Sequence, residues 1–185
     1  MNRLLFATFT TIAGLSVNLC QPIPEAIAQT ETNFQASNTK DTNKFPVNQV
    51  LSALRGKTTI PIFLPSEVPF STNKLYYQNK AEKNNYIVEM SLGIKCGGAC
   101  YVGNISAERG GKIKEPPTTF RRGTEYKNIT LANQTAGIFF QGCGAYCIAI
   151  VEWEYQGVLY RVNMKNGKEA NLIKIANSAI KAGPR

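Results

Sequence analysis

Hydrophobic residues recur along this chain at two different spacings. Val47, Val50, Leu51 and Leu54 sit at i, i+3, i+4 and i+7, a single apolar stripe that predicts a short helix over 46–55. Pro46 suits its first position and Gly56 its stop. Leu172, Ile173, Ala176, Ala179 and Ile180 form a second stripe. It predicts a helix over about 168–181, after the Asn166-Gly167 turn and before Gly183-Pro184. Between the two stripes the period drops to two residues, as in half-buried strands. Tyr86, Val88, Met90, Leu92 and Ile94 predict a strand over 86–94, paired with 75–78 around the polar turn 80–85. Further strands are predicted over 101–107, 136–141, 148–155 and 158–164. Segment 58–64 is β-rich, but Pro61 and Pro65 confine it to a sheet edge or an extended strap.

The last two strands specify their own register. A two-residue turn at Gln156-Gly157 sets Tyr155 against Val158, Trp153 against Tyr160, Val151 against Val162 and Ala149 against Met164. On the other face Glu152 falls opposite Arg161, an opposite-charge cross-strand pair. A slip of one residue would destroy both patterns, so the Trp153 face is expected to be core.

Upstream of these elements the chain changes character. Arg3 precedes an uncharged, largely apolar run over 4–19, and Ala26-Ile27-Ala28 supplies a small-x-small cleavage site. That order predicts a secretory signal peptide, cleaved after Ala28. The run is short for a membrane span, which takes about 20 strongly apolar residues. Segment 29–45 contains no Leu, Ile, Val or Met and reads as a flexible polar linker. The expected organisation is a signal peptide (1–28), a linker (29–45) and a single α+β domain (46–182). That domain is an antiparallel sheet of about six strands, with a short N-terminal and a longer C-terminal helix packed on one face. No membrane span is expected once the signal is removed.

Composition narrows the chemistry. The 185 residues carry a net charge of +9 and include no histidine. A Ser-His-Asp triad, a Cys-His dyad and a His-ligated metal site are therefore excluded. Glu152 and Glu154 project to the same side of one strand, whereas glycosidase carboxylates flank a substrate from facing elements. No catalytic residue, metal or cofactor is expected.

Signal cleavage removes Cys20 and leaves four cysteines, an even number that suits an oxidising compartment. They form two CxxxC motifs, Cys96 to Cys100 and Cys143 to Cys147, each between two predicted strands. A three-residue hairpin loop sets its flanking residues opposite each other, within disulfide reach. The second loop would also set Gln141 against Ala149 and Phe139 against Val151, which puts Phe139 on the Trp153 face. Local pairing, Cys96 with Cys100 and Cys143 with Cys147, is the natural geometry, although four cysteines allow three connectivities. A four-thiolate zinc site and a thiol–disulfide exchange centre are the competing uses of the same motifs.

Arg109, Lys112, Lys114, Arg121, Arg122 and Lys127 crowd a Gly- and Pro-containing segment, 109–127. It is either a solvated surface loop or an anion-binding arm for a polysaccharide, cell-wall polymer or lipid headgroup. An exported chain with no nucleic-acid-reading motif is not expected to bind nucleic acid.

The run from Cys96 to Gly103 (CGGACYVG), the second loop CGAYC, the spacing of Trp153, Gly157 and Tyr160, and Ala170-Asn171 followed by Ala176 to Ile180 (ANSAI) resemble a group of secreted four-cysteine proteins of cyanobacteria. Ile62-Phe63-Leu64-Pro65 resembles the segment that opens their domain. The closing pattern is also similar to a domain of unknown function in extracytoplasmic parts of bacterial membrane proteins. The resemblance implies a periplasmic or extracellular α+β domain and no particular activity. The expected function is thus an exported, disulfide-stabilised, non-enzymatic domain that binds an anionic cell-envelope polymer or a protein partner. The alternative is a redox or metal-binding protein that uses the two CxxxC motifs.

Overall fold

The computed structural model describes residues 35–36, 44–69, 74–94, 98–116 and 123–185, all within one unit, Thr32–Arg185. The signal peptide expected over 1–28, and most of the expected linker, lie outside these residues. In chain order the elements are β1 (Gln35–Ala36), α1 (Val47–Leu54), β2 (Tyr76–Glu82), β3 (Asn85–Ser91), β4 (Tyr101–Arg109), β5 (Glu125–Thr130), β6 (Ala136–Cys143), β7 (Cys147–Tyr155), β8 (Val158–Lys165) and α2 (Glu169–Ala182). Strands β2 to β4 form one meander and β5 to β8 another. Pairing of β4 with β8 joins them into one antiparallel sheet of order β1-β2-β3-β4-β8-β7-β6-β5. The fold is α+β, and among the described residues no helix is long and apolar enough to cross a membrane.

The register of β7 with β8 follows from the apolar alternation: Tyr155↔Val158, Trp153↔Tyr160, Val151↔Val162, Ala149↔Met164, and Glu152↔Arg161 on the other face. Gln156 (φ 50°) and Gly157 (φ 71°) both take the left-handed backbone that a tight two-residue hairpin turn requires. Trp153 and Tyr160 stack at 5.4 Å, and Phe63 meets each edge-on. Both helices and the segment 60–64 pack on this face. Leu54, Leu64, Leu172, Ile175 and Ala176 are fully buried there with Phe139, Val151 and Val162.

Segment 58–64 is a strap rather than a strand. Its backbone turns to side chains: the Tyr86 hydroxyl accepts from Phe63 N–H (3.1 Å) and donates to Phe63 C=O (3.0 Å), and the Tyr160 hydroxyl donates to Pro61 C=O (2.8 Å). The core also reaches into the segment expected to be linker, because Phe45 is buried edge-on against Tyr77. The C-terminal Arg185 bonds Ile62 C=O and Leu64 C=O, which ties the chain end to the strap.

Three expectations shift. The strand expected over 86–94 stops at Ser91, where a bulge breaks its register, so Leu92 and Ile94 are exposed. The six-residue turn expected before it, 80–85, shrinks to Lys83-Asn84, because β2 runs on to Glu82. Strand β5 occupies part of the segment expected to be loop. It is an edge strand with mostly exposed side chains, so it carries no apolar alternation to read.

The β4–β5 connection is described over 110–116, and this part lies over β8, β7 and β6 on the face opposite the helices. Gly111 lies against Leu159 of β8. The Lys114 N–H bonds the Glu152 carboxylate of β7 (2.7 Å), and the Lys114 ammonium lies 4.5 Å from the Phe140 ring of β6. The Tyr126 hydroxyl of β5 then donates to Lys114 C=O (3.1 Å).

Candidate functional site

The β3–β4 and β6–β7 connections leave the same end of the sheet, because β4, β8 and β7 alternate in direction with Lys165 of β8 paired to Ile148. The two cysteine loops therefore emerge side by side. Cys143 and Cys147 are cross-strand partners with Cα atoms 3.9 Å apart, and a disulfide joins them. Within that loop Gly144 N–H bonds Tyr146 C=O (3.0 Å). Cys100 is also disulfide-bonded. Cys96, its expected partner, lies outside the described residues. Leu92 N–H bonds Cys100 C=O (3.0 Å) and closes the base of the first loop.

Lys165 bridges the two loops. Its ammonium donates to Gly98 C=O on one (3.2 Å) and lies 4.9 Å from the Tyr146 ring on the other. Asn166 locks the second loop from below: its N–H bonds Cys147 C=O (2.7 Å), and its side-chain oxygen accepts from Cys147 N–H (3.0 Å). Beneath the first loop, the Tyr101 hydroxyl donates to Asn163 Oδ1 (2.8 Å) and accepts from Asn104 Nδ2 (2.9 Å). Burial pushes the Tyr101 phenol up to about 12, against the opposing effect of the Asn163 hydrogen bond. Gly123 rests against Cys143, so the chain entering β5 passes the bridge.

This end carries exposed apolar side chains. Leu92, Ile94 and Tyr146 are 48%, 44% and 51% exposed, and they are three of the four exposed large hydrophobics among the described residues. The fourth, Tyr155, lies at the opposite end of the sheet.

The four basic candidates among the described residues do not form one patch. Arg109 ends β4 at the far end of the sheet, and Lys112 and Lys114 lie on the crossing segment. Lys127 sits between Glu125 (2.7 Å) and Glu169 (2.8 Å), whose hydrogen bonds raise its ammonium to about 12. It is a link between β5 and α2. Arg121 and Arg122 lie outside the described residues.

Comparison with known proteins returns no matching family model, curated protein or solved structure. The geometry has to carry the reading alone. Among the described residues no group of three or more His, Cys, Asp or Glu side chains could hold a metal. Cys143 and Cys147 are joined in a hairpin rather than set at a helix N-terminus, the setting that lowers the pKa of exchange-active thiols. What the arrangement offers is a partly apolar surface beside a disulfide-closed hairpin. The sequence reading places Leu92 and Ile94 inside a strand and does not single out Lys165, because alternation alone does not say where a strand ends.

Proposed function

We propose that this chain is an exported, disulfide-stabilised binding domain that presents its cysteine-loop end to a protein partner in the cell envelope. The observation that supports this reading is the clasp: two cysteine loops at one end, held together through Lys165, with Leu92, Ile94 and Tyr146 exposed around them. A hairpin tip closed by a disulfide, as at Cys143–Cys147, loses less conformational entropy on association, so more of the contact energy appears as affinity. The net charge of +9 favours an acidic partner, steered by long-range attraction. An anionic polymer is the weaker occupant, because the basic candidates among the described residues are dispersed and Lys127 is internally paired.

A photocrosslinking side chain at position 146 tests this. It should capture one defined envelope protein in the native compartment, and Leu92→Ser with Ile94→Ser should abolish the capture. The same crosslinker at exposed position 55 should capture nothing. Equal labelling from both positions would overturn the reading. So would retention on an anionic polymer that is lost in Lys112→Ala/Lys114→Ala and indifferent to Leu92→Ser.

A further inference from the structure

The Cys143–Cys147 bridge does little for the sheet and much for one residue. It closes a ring of five residues, and Tyr146 lies inside that ring. The base of the hairpin has other support. Asn166 takes both backbone polar groups of Cys147, through its own N–H and its side-chain oxygen. Below that, β6 and β7 stay paired from Gly142↔Ile148 to Gly137↔Trp153, with Phe139, Ala149 and Val151 fully buried. Tyr146 has no comparable anchor among the described residues. Gly144 N–H bonds its C=O (3.0 Å), and the Lys165 ammonium lies 4.9 Å from its ring.

The bridge is also reachable. Residues 143–146 are exposed and Cys147 is half-buried. The chain passes Cys143 as a glycine: a Cβ on Gly123 would stand 3.3 Å from Cys143 Sγ and crowd the sulfur. From the other direction Gln141 Nε2–H donates to Cys143 Sγ (3.7 Å), a contact that favours the charged thiolate over the neutral thiol. Bridges that hold a fold together resist reduction, whereas exposed ones are the labile and regulatory kind. A ring this short also stands at the low end of disulfide stabilisation, so the fold can lose it.

We infer that the Cys143–Cys147 bridge is a redox switch on the cysteine-loop surface. Oxidised, it holds Tyr146 beside Lys165; reduced by a dithiol protein, it releases Tyr146 and leaves the sheet intact. The inference rests on the binding role proposed above for this end. A thiolate of the dithiol attacks the exposed Cys143 sulfur, the Cys143–Cys147 bond breaks, and Cys147 leaves as a thiolate that takes up a proton. The second sulfur of the dithiol, its own proton given up, then attacks the first. Cys143 leaves as a thiolate, with the Gln141 amide donating to it, and is protonated in turn. The chain gains two electrons and two protons, and the dithiol ends as a disulfide.

Dithiothreitol, itself a dithiol, serves as the probe, in graded reduced-to-oxidised mixtures without denaturant on the signal-cleaved protein. Alkylation mapped by peptide mass should find Cys143 and Cys147 modified. Exchange at the Gly144 amide should rise about tenfold, and the nuclear Overhauser contact between the Tyr146 ring and Lys165 should vanish, while Val151 and Val162 stay protected. Capture by the photocrosslinker at position 146 should fall about fivefold on reduction and return on reoxidation. In Cys143→Ser/Cys147→Ser, capture should be low and indifferent to dithiothreitol, which separates this bridge from the one at Cys100. Alkylation and exchange need no partner. If they respond while the oxidised protein captures nothing, the binding role falls and redox control of the loop stands. Modification of Cys143 and Cys147 only in urea would overturn the inference. So would a Gly144 amide unchanged by reduction, or equal capture by the oxidised and reduced forms.

Discussion

Glu152 has no measurable exposure, although it lies on the sheet face away from the helices. Its Oε1 accepts from both Nε and Nη2 of Arg161 at 2.6 Å, and its Oε2 accepts from Lys114 N–H. The cross-strand pairing was legible, because Glu152 and Arg161 fall opposite in the only register that keeps the apolar face intact. Its burial was not, because the cover is a segment remote in sequence. A buried carboxylate left without its partner is far more costly than the intact pair is stabilising. Arg161→Met is therefore expected to destabilise the fold by about 3 kcal/mol, the lower end for such pairs because the Arg161 side chain is 38% exposed. The Glu152→Met/Arg161→Met double variant is expected to regain most of it. Urea unfolding of the single and double variants measures both; a double variant as unstable as the single one would show that the loss is packing rather than charge.

At the scale of elements, strands with an alternating buried face were readable, and the edge strand β5, which lacks one, was not. The β6–β7 and β7–β8 hairpins carry alternation on both arms, and their observed registers match the expected ones residue for residue. Strand β5 pairs by backbone along the sheet edge, which needs no apolar pattern. The Cys143–Cys147 bridge belongs to this scale because it closes a loop within one hairpin. By loop entropy it contributes roughly 2 kcal/mol, and its effect should stay local. Cys147→Ser, with Cys143→Ser to avoid a free thiol, is expected to raise amide exchange over 142–148 and leave the centres of β7 and β8 protected. Equal loss of protection at Val151 and Val162 would mean that the bridge holds the sheet and not merely the tip.

For the whole molecule, buried phenols connect packing to pH. Burial raises the Tyr77, Tyr86 and Tyr160 hydroxyls above their ordinary value, and Tyr101 reaches about 12. The folded state thus keeps these phenols protonated where the unfolded chain, titrating near 10, ionises. The stability tied to them is fully present below pH 10 and drains away as pH rises through 12. Urea midpoints at fixed ionic strength are expected to fall between pH 9 and pH 11.5, with phenolate absorbance from these residues growing alongside unfolding. Their full ionisation in a still-folded protein would contradict the burial described.

The pattern of side chains by itself determined the α+β class, both helices, the paired hairpins and the Trp153 face, because each depends on contacts between residues close in sequence. Only the tertiary structure decided the rest. The β4–β8 pairing, the passage of 110–116 over the open face and the meeting of two cysteine loops over Lys165 all join segments far apart in the chain. No local periodicity encodes such meetings. They follow from how two meanders share one sheet and which face of it the helices and strap cover.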